Sequence, residues 1–227
     1  MLQLPPYITL PATSFLVCAA LTPIVKKGAL RFGWVAIPSK DRWHTKRTAL
    51  LGGIAIYSAV CIPLLWLAGF GSVIQYVKVH SPPPSIVAVI WLGMTILFVL
   101  GLLDDLFHFR PQNKLVVQIV VASAVAFMGY RLQWAESLTG DTVLTIVWIV
   151  GITNAINFAD NMDGLCAGIT AIAAAFFSFL YAAEVSPQHL SVALLLVGAC
   201  AGFLIYNFHP ASIFMGDSGS LPIGFAL

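Results

Sequence analysis

The chain has 227 residues, 59% of them hydrophobic and only 9% charged, with a formal net charge of +2 and a mean hydropathy of +0.93. This balance excludes an ordinary soluble domain, in which about a quarter of residues are charged. So small a positive excess also gives no footing for nucleic acid.

A membrane-crossing helix takes about 20 mostly apolar residues. Seven runs near that length follow one another: 7–25, 50–70, 85–103, 115–130, 142–158, 165–183 and 190–208. The fourth is short and needs its flanks. Before the first stand Gln3, Pro5 and Pro6, not a basic stretch and a small-residue cleavage site, so it is read as a retained span. An eighth run begins at Leu221 and is too short to cross, which predicts a sequence incomplete at its C-terminus. Every crossing must be helical, because a bilayer offers no partners to open backbone groups. The expected fold is all-α: a polytopic transmembrane helical bundle with seven spans plus the start of an eighth, built as one membrane-embedded domain over 1–227. Cys18, Cys61, Cys166 and Cys200 show no C-x-x-C or metal-ligand spacing and read as small apolar packing residues.

Alternate connections share the basic residues unequally. Lys26, Lys27, Arg31, Lys40, Arg42, Lys46, Arg47, Arg110 and Lys114 fall on one side, against Lys78 and Arg131 on the other. The positive-inside bias makes the first side cytoplasmic and puts the N-terminus outside, in a cell (inner) membrane. Asp104, Asp105, Asp160, Asp163 and Asp217 all fall on that cytoplasmic side, at or near helix ends. Hydropathy alone sets the spans, so this convergence is independent of them.

Four clusters can carry chemistry. Asp104-Asp105 closes the third span, and two adjacent carboxylates at a hydrocarbon boundary repel unless a proton or a cation intervenes. Asn154, Asn157 and Asp160, spaced by three, share a helix face, and with Asp163 they offer oxygen ligands to a hard cation. Helix capping by Asp163 is the structural alternative. Met215-Gly216-Asp217-Ser218-Gly219-Ser220 precedes the eighth run, and its small residues let backbone approach a phosphate. The basic stretch Lys40–Arg47, before Gly52-Gly53, serves topology or holds phosphate, and Lys114 also suits phosphate. His44, His108 and His209 lie on the same side without zinc spacing. Oxygen ligands for Mg²⁺ beside basic residues and glycine turns suggest phosphoryl or phosphosugar chemistry at the membrane.

At these residues the chain resembles the polyprenyl-phosphate N-acetylhexosamine-1-phosphate transferases (glycosyltransferase family 4, of the bacterial undecaprenyl-phosphate GlcNAc-1-phosphate transferase type). The resemblance rests on His44 with Leu51-Gly52-Gly53-Ile54, Leu103-Asp104-Asp105 with Lys114, Asn157-Phe158 with Asp160-x-x-Asp163-Gly164, and Phe214-Met-Gly216-Asp217-Ser-Gly219-Ser220. It departs from the usual pattern at Asn161, where a glycine is common, and at Ala49-Leu50, where Pro-Arg is common. The resemblance implies a Mg²⁺-dependent enzyme, with Mn²⁺ as a substitute. It would transfer a HexNAc-1-phosphate, GlcNAc-1-phosphate first, from a UDP-sugar to a polyprenyl phosphate with release of UMP. It further implies Asn157 and Asp217 as metal ligands, and Asp104 and Asp105 at the reacting centre with Asp160 lining the nucleotide site. Asp163 and Phe214 would meet the uracil ring, and Lys114 and Lys46 would hold phosphate. A homodimer is compatible with it. The alternatives are a non-catalytic fragment or paralogue, or a transporter, which would carry its acids near the bilayer midplane.

Overall fold

A computed structural model of the chain describes residues 6–36, 47–68, 86–184 and 186–227. Its elements are α1 (Pro6–Phe32), β1 (Val35–Ala36), β2 (Thr48–Ala49), α2 (Gly53–Ala68), α3 (Ile86–Phe107), α4 (Pro111–Phe127), α5 (Leu138–Ala159), α6 (Leu165–Ala183), α7 (Pro187–Asn207) and α8 (Asp217–Ala226). Among the described residues, α1, α3, α5, α6 and α7 are long and apolar enough to cross a bilayer, while α2 and α4 are shorter apolar helices. The molecule is therefore a helical, multi-pass membrane protein.

Its surface is inverted relative to a soluble protein. Leu16, Ile172, Phe176 and Phe179 are more than 60% exposed on α1 and α6, where lipid, not water, is the natural neighbour. Inside the bundle, large apolar side chains such as Ile56, Met94, Leu195 and Phe203 are fully buried, and at the α1–α7 seam small residues and hydroxyls join them. Gly198 and Gly202 on α7 let the α1 backbone come close: a Cβ at Gly198 would stand 2.1 Å from the Pro11 carbonyl oxygen. Ser14 Oγ donates to the Leu195 carbonyl at 2.7 Å, and Tyr206 Oη to the Ala19 carbonyl at 3.0 Å, across the same seam. All four cysteines are buried thiols, in keeping with a packing role.

Three features differ from the hydropathy reading. Helix α1 runs to Phe32, beyond residue 25, and α3 runs to Phe107, beyond residue 103. Apolarity ends at the first charges, but backbone bonding continues, and Lys, Arg and Leu are good helix formers. Asp104 and Asp105 thus sit in the last turn of α3, not in a loop. Helix α8 begins at Asp217, four residues before the apolar run. Finally, β1 and β2 form a two-residue antiparallel pair, Val35 opposite Ala49 and Ala36 opposite Thr48, with a parallel bridge from Ala49 to Ile213. Two-residue strands are too short to leave an alternating pattern in the sequence.

That bridge positions the site. Phe214 N–H donates to the Ala49 carbonyl at 2.8 Å, and Gly52 N–H and Gly53 N–H donate to the Phe214 and Met215 carbonyls at 2.9 Å each. The segment leading into α8 is thereby stitched to the start of α2, at the end of the bundle where α3 and α5 also terminate. Lys46, His44 and the rest of the basic stretch through residue 46 lie outside the described residues.

Candidate active site

The first turn of α8 is the hub. Its N-cap, Gly216, has φ +72°, a conformation that strains any residue with a Cβ. A Cβ there would also stand 2.6 Å from Asp105 Oδ2. Open N–H groups at a helix start need acceptors and favour negative charge. Here the acceptors come from other helices. Asp105 Oδ1 accepts from Asp217 N at 2.9 Å, and its Oδ2 from Ser218 N at 3.1 Å. Asp160, at the C-cap of α5, accepts from Gly216 N at 3.0 Å. Two acids from two helices thus cap a third.

With its backbone held, Asp217 presents its carboxylate to two further groups. Oδ2 lies 2.6 Å from Lys114 Nζ, and Oδ1 accepts from Asn157 Nδ2 at 2.9 Å. The same Asn157 amide nitrogen reaches Ser220 Oγ at 2.8 Å. Lys114, in the first turn of α4, also pairs with Asp104 Oδ2 at 3.0 Å, while Asp104 Oδ1 accepts from Phe109 N at 2.8 Å. Asp104, Asp105, Lys114, Asn157, Asp160 and Asp217 are therefore one connected network, contributed by α3, α4, α5 and α8.

Two predicted residues stand at its border. Asp163 does not cap α6; Gly164 is the N-cap there, with φ +72° and no side-chain bond. Asp163 Oδ2 instead meets His209 Nδ1 at 2.9 Å and Ala211 N at 3.0 Å, fixing the turn after α7. Phe214 is half-buried and pinned by its backbone to β2 and Gly52.

Sequence reasoning overlooked Gln118 and Asn207. Gln118, 3% exposed on α4, bonds the Asn154 amide of α5 and ties together the helices that carry Lys114 and Asn157. Its signal was available: a lone amide in an apolar run, one helical turn after Lys114. Asn207 accepts from Gly164 N at 3.1 Å and donates to the Ile213 carbonyl at 3.0 Å, joining the α5–α6 turn to the strand segment before α8.

Electrostatically the network is acidic. Among the described residues, Lys114 is the one cation in ion-pair contact with these four carboxylates. Burial above all raises the Asp160 carboxyl; with the Gly216 N–H opposing and the charges of Asp105 and Asp217 adding, it is pushed up to about 8. A carboxyl raised in this way favours its protonated form near neutral pH, which still leaves an oxygen to accept from the Gly216 N–H. Asp160→Asn, which keeps an acceptor oxygen, should leave the midpoint of thermal unfolding nearly unchanged. Asp160→Ala strands the Gly216 N–H and should cost about 1–3 kcal/mol. Equal losses in the two variants would rule out the neutral-acceptor role.

No three His, Cys, Asp or Glu side chains among the described residues converge closely enough to hold a metal by themselves. The donor chemistry nevertheless fits Mg²⁺, which binds one or two carboxylates and completes its shell with water and substrate phosphate. The carboxylates of Asp104 and Asp217 and the amide of Asn157 are hard-donor groups of this kind in the network, and the surplus of carboxylates over ammonium supplies the attraction.

Residues 87–227 match the profile of glycosyl transferase family 4. Over 223 residues the chain is 35% identical to a Bacillus subtilis protein named probable undecaprenyl-phosphate N-acetylglucosaminyl 1-phosphate transferase, covering 94% of this chain and 59% of that relative. It is 33% identical over 236 residues to the decaprenyl-phosphate N-acetylglucosaminephosphotransferase of Mycolicibacterium smegmatis, covering 95% of this chain and 57% of the relative. It is 30% identical over 241 residues to the phospho-N-acetylmuramoyl-pentapeptide-transferase of Lactiplantibacillus plantarum, covering 95% and 71%. The chain belongs to glycosyl transferase family 4. It spans less than two thirds of the length of the first two of these relatives.

Proposed function

We propose that this protein transfers a HexNAc-1-phosphate, GlcNAc-1-phosphate first, from a UDP-sugar to a polyprenyl phosphate, releasing UMP and initiating cell-wall or surface-polysaccharide synthesis. The observation that carries this reading is the network of Asp104, Lys114, Asn157 and Asp217, drawn from four helices to one end of a membrane bundle. The acids stand at helix ends, which disfavours a transporter with a midplane site. Lys26, Lys27 and Arg31 end α1 on the same side as the acids, so this end is assigned to the cytoplasm, with the N-terminus outside. Seven spans and the start of an eighth are consistent with α1–α8.

In the reaction an oxygen of the polyprenyl phosphate attacks the sugar-bearing phosphorus of the UDP-sugar. The new P–O bond forms as the bond to UMP breaks, giving a polyprenyl diphosphate sugar. The acceptor is already an anion at neutral pH, so little proton transfer is needed and charge must be managed instead. Bound to Asp217 and Asn157, Mg²⁺ (or Mn²⁺) would supply Lewis-acid neutralisation of the diphosphate. Lys114 supplies the remaining positive charge. Asp105 and Asp160, committed to backbone N–H groups, keep α8 and hence Asp217 in place. Among the described residues the partners of Asp104 are Lys114 and the Phe109 N–H, and it is the carboxylate best placed to orient the acceptor. Asp163 and Phe214, at the border of the network, are assigned to the nucleotide.

The test is label exchange in membranes containing the protein, with labelled UMP and UDP-GlcNAc. Label should enter the UDP-sugar with Mg²⁺ present and stop entering it when EDTA is added. Absence of Mg²⁺-dependent exchange with every UDP-HexNAc tried would sink the proposal.

A further inference from the structure

The position of Lys114 poses a conflict within the proposed site. Its ammonium touches Asp217 Oδ2 at 2.6 Å and Asp104 Oδ2 at 3.0 Å, and its side chain is only 20% exposed. The other Asp217 oxygen is taken by the Asn157 amide nitrogen, which also bonds Ser220. Both oxygens of the residue assigned to the metal are therefore already engaged, one of them by a full positive charge. A divalent ion and an ammonium sharing one carboxylate would stand a few ångströms apart and repel strongly even at the effective dielectric of a protein surface. Asn157 would also have to turn its amide oxygen toward the metal, breaking its present bond to Asp217.

We infer that Lys114 is an internal counter-ion of Asp104 and Asp217 that competes with a divalent cation for Asp217 and gives up that contact when such an ion binds. This rests on the metal assignment made above and goes beyond it. The exchange makes and breaks no covalent bond: the ammonium keeps its proton and gives up one ion pair. Its flexible four-carbon stem carries it to a new anion without moving α4, and the diphosphate of the donor is the anion that arrives at this site. Lys114 thereby has two tasks in succession. It neutralises Asp104 and Asp217 by ion pairing, and it would hold phosphate once a metal has taken Asp217. One consequence separates this from a permanent structural salt bridge: Lys114 must compete with the metal.

The test is Mn²⁺ binding to the purified chain in detergent, without nucleotide and at low ionic strength, read from the electron paramagnetic resonance signal of the free ion. Lys114→Met should tighten Mn²⁺ binding by about tenfold or more, since a competing charge is removed from the site. Lys114→Arg, which keeps the charge, should not tighten it, and Asp217→Asn should lose it. If Asp217→Asn loses binding while Lys114→Met binds no tighter than the unmodified chain, the competition is overturned and the metal assignment stands. If Asp217→Asn binds Mn²⁺ as well as the unmodified chain, the metal assignment falls, and this inference with it. Should Lys114→Met lose its cooperative thermal transition, Lys114→Gln replaces it with the same expected tightening.

Discussion

Asp217→Asn is expected to lower Mg²⁺-dependent UMP exchange by roughly 10²–10³-fold, the usual effect of removing one preorganised electrostatic group from a site where charge is handled. The substitution keeps the shape of the side chain and one acceptor oxygen, so the Asn157 bond has a partner still. It deletes the negative charge that faces Lys114 at 2.6 Å. The fold should survive, because the α8 cap runs through the backbone N–H groups of residues 217 and 218 to Asp105, and those remain. The lost ion pair is partly exposed, and such pairs contribute about 0–1 kcal/mol. A large fall in exchange with a small shift in thermal midpoint is thus the expected signature. Exchange within a few-fold of the unmodified protein would remove Asp217 from the centre of the site.

That signature was only half legible in the sequence. Asp217 could be singled out because small residues flank it just ahead of an apolar run. Its neighbours could not. Lys114 and Asp217 are 103 positions apart, and nothing in local spacing pairs them; only the packing of α3 against both α4 and α8 does. The same holds for Asp105. Next to Asp104 it reads as half of a reactive acid pair, yet both its oxygens accept from α8 backbone. A helix capped by its own N-cap side chain leaves a sequence signature, and one capped from a different helix leaves none.

The helices show the opposite balance. The run 165–183 coincides with α6 at both ends, because Gly164 and Glu184 bound an unbroken apolar stretch. Where a charged residue continues the helix, as at Lys26 in α1 or Asp104 in α3, hydropathy stops early and backbone geometry does not. The short β1–β2 pair was invisible for a different reason. It exists because the backbone near Ala49 has partners both in β1 and at Ile213–Met215, contacts set by tertiary position and not by the propensity of two residues. The resulting stitch gives α8 its register against α2, and so it bears on function although it is hardly a sheet.

Gly101→Ala should disable the site without touching any charged group. A Cβ at Gly101 would stand 2.2 Å from the Asp217 carbonyl oxygen, 2.4 Å from its carbonyl carbon and 2.6 Å from Ser218 N. These are backbone atoms, so no rotamer change can relieve the overlap, and the first turn of α8 must move away from α3. Overpacking of this kind costs about 1–3 kcal/mol, which a lower thermal midpoint would report. The functional loss should be larger than the stability loss suggests. The displaced turn carries Asp217 away from Lys114 and Asn157 and loosens both Asp105 caps, and a misplacement of about 1 Å can slow a reaction by about 10²-fold. Mn²⁺ affinity should weaken in parallel, since the ligand itself has shifted. Gly151→Ala is the control: it is also a helical glycine in the bundle, on α5, but a Cβ there meets nothing within 4 Å. It should leave thermal midpoint, Mn²⁺ affinity and exchange near those of the unmodified protein. If Gly101→Ala behaved like Gly151→Ala, the close seat of α8 on α3 could not be what positions Asp217. If it lost stability but kept Mn²⁺ affinity, the carboxylate would be held from the Asn157 side alone.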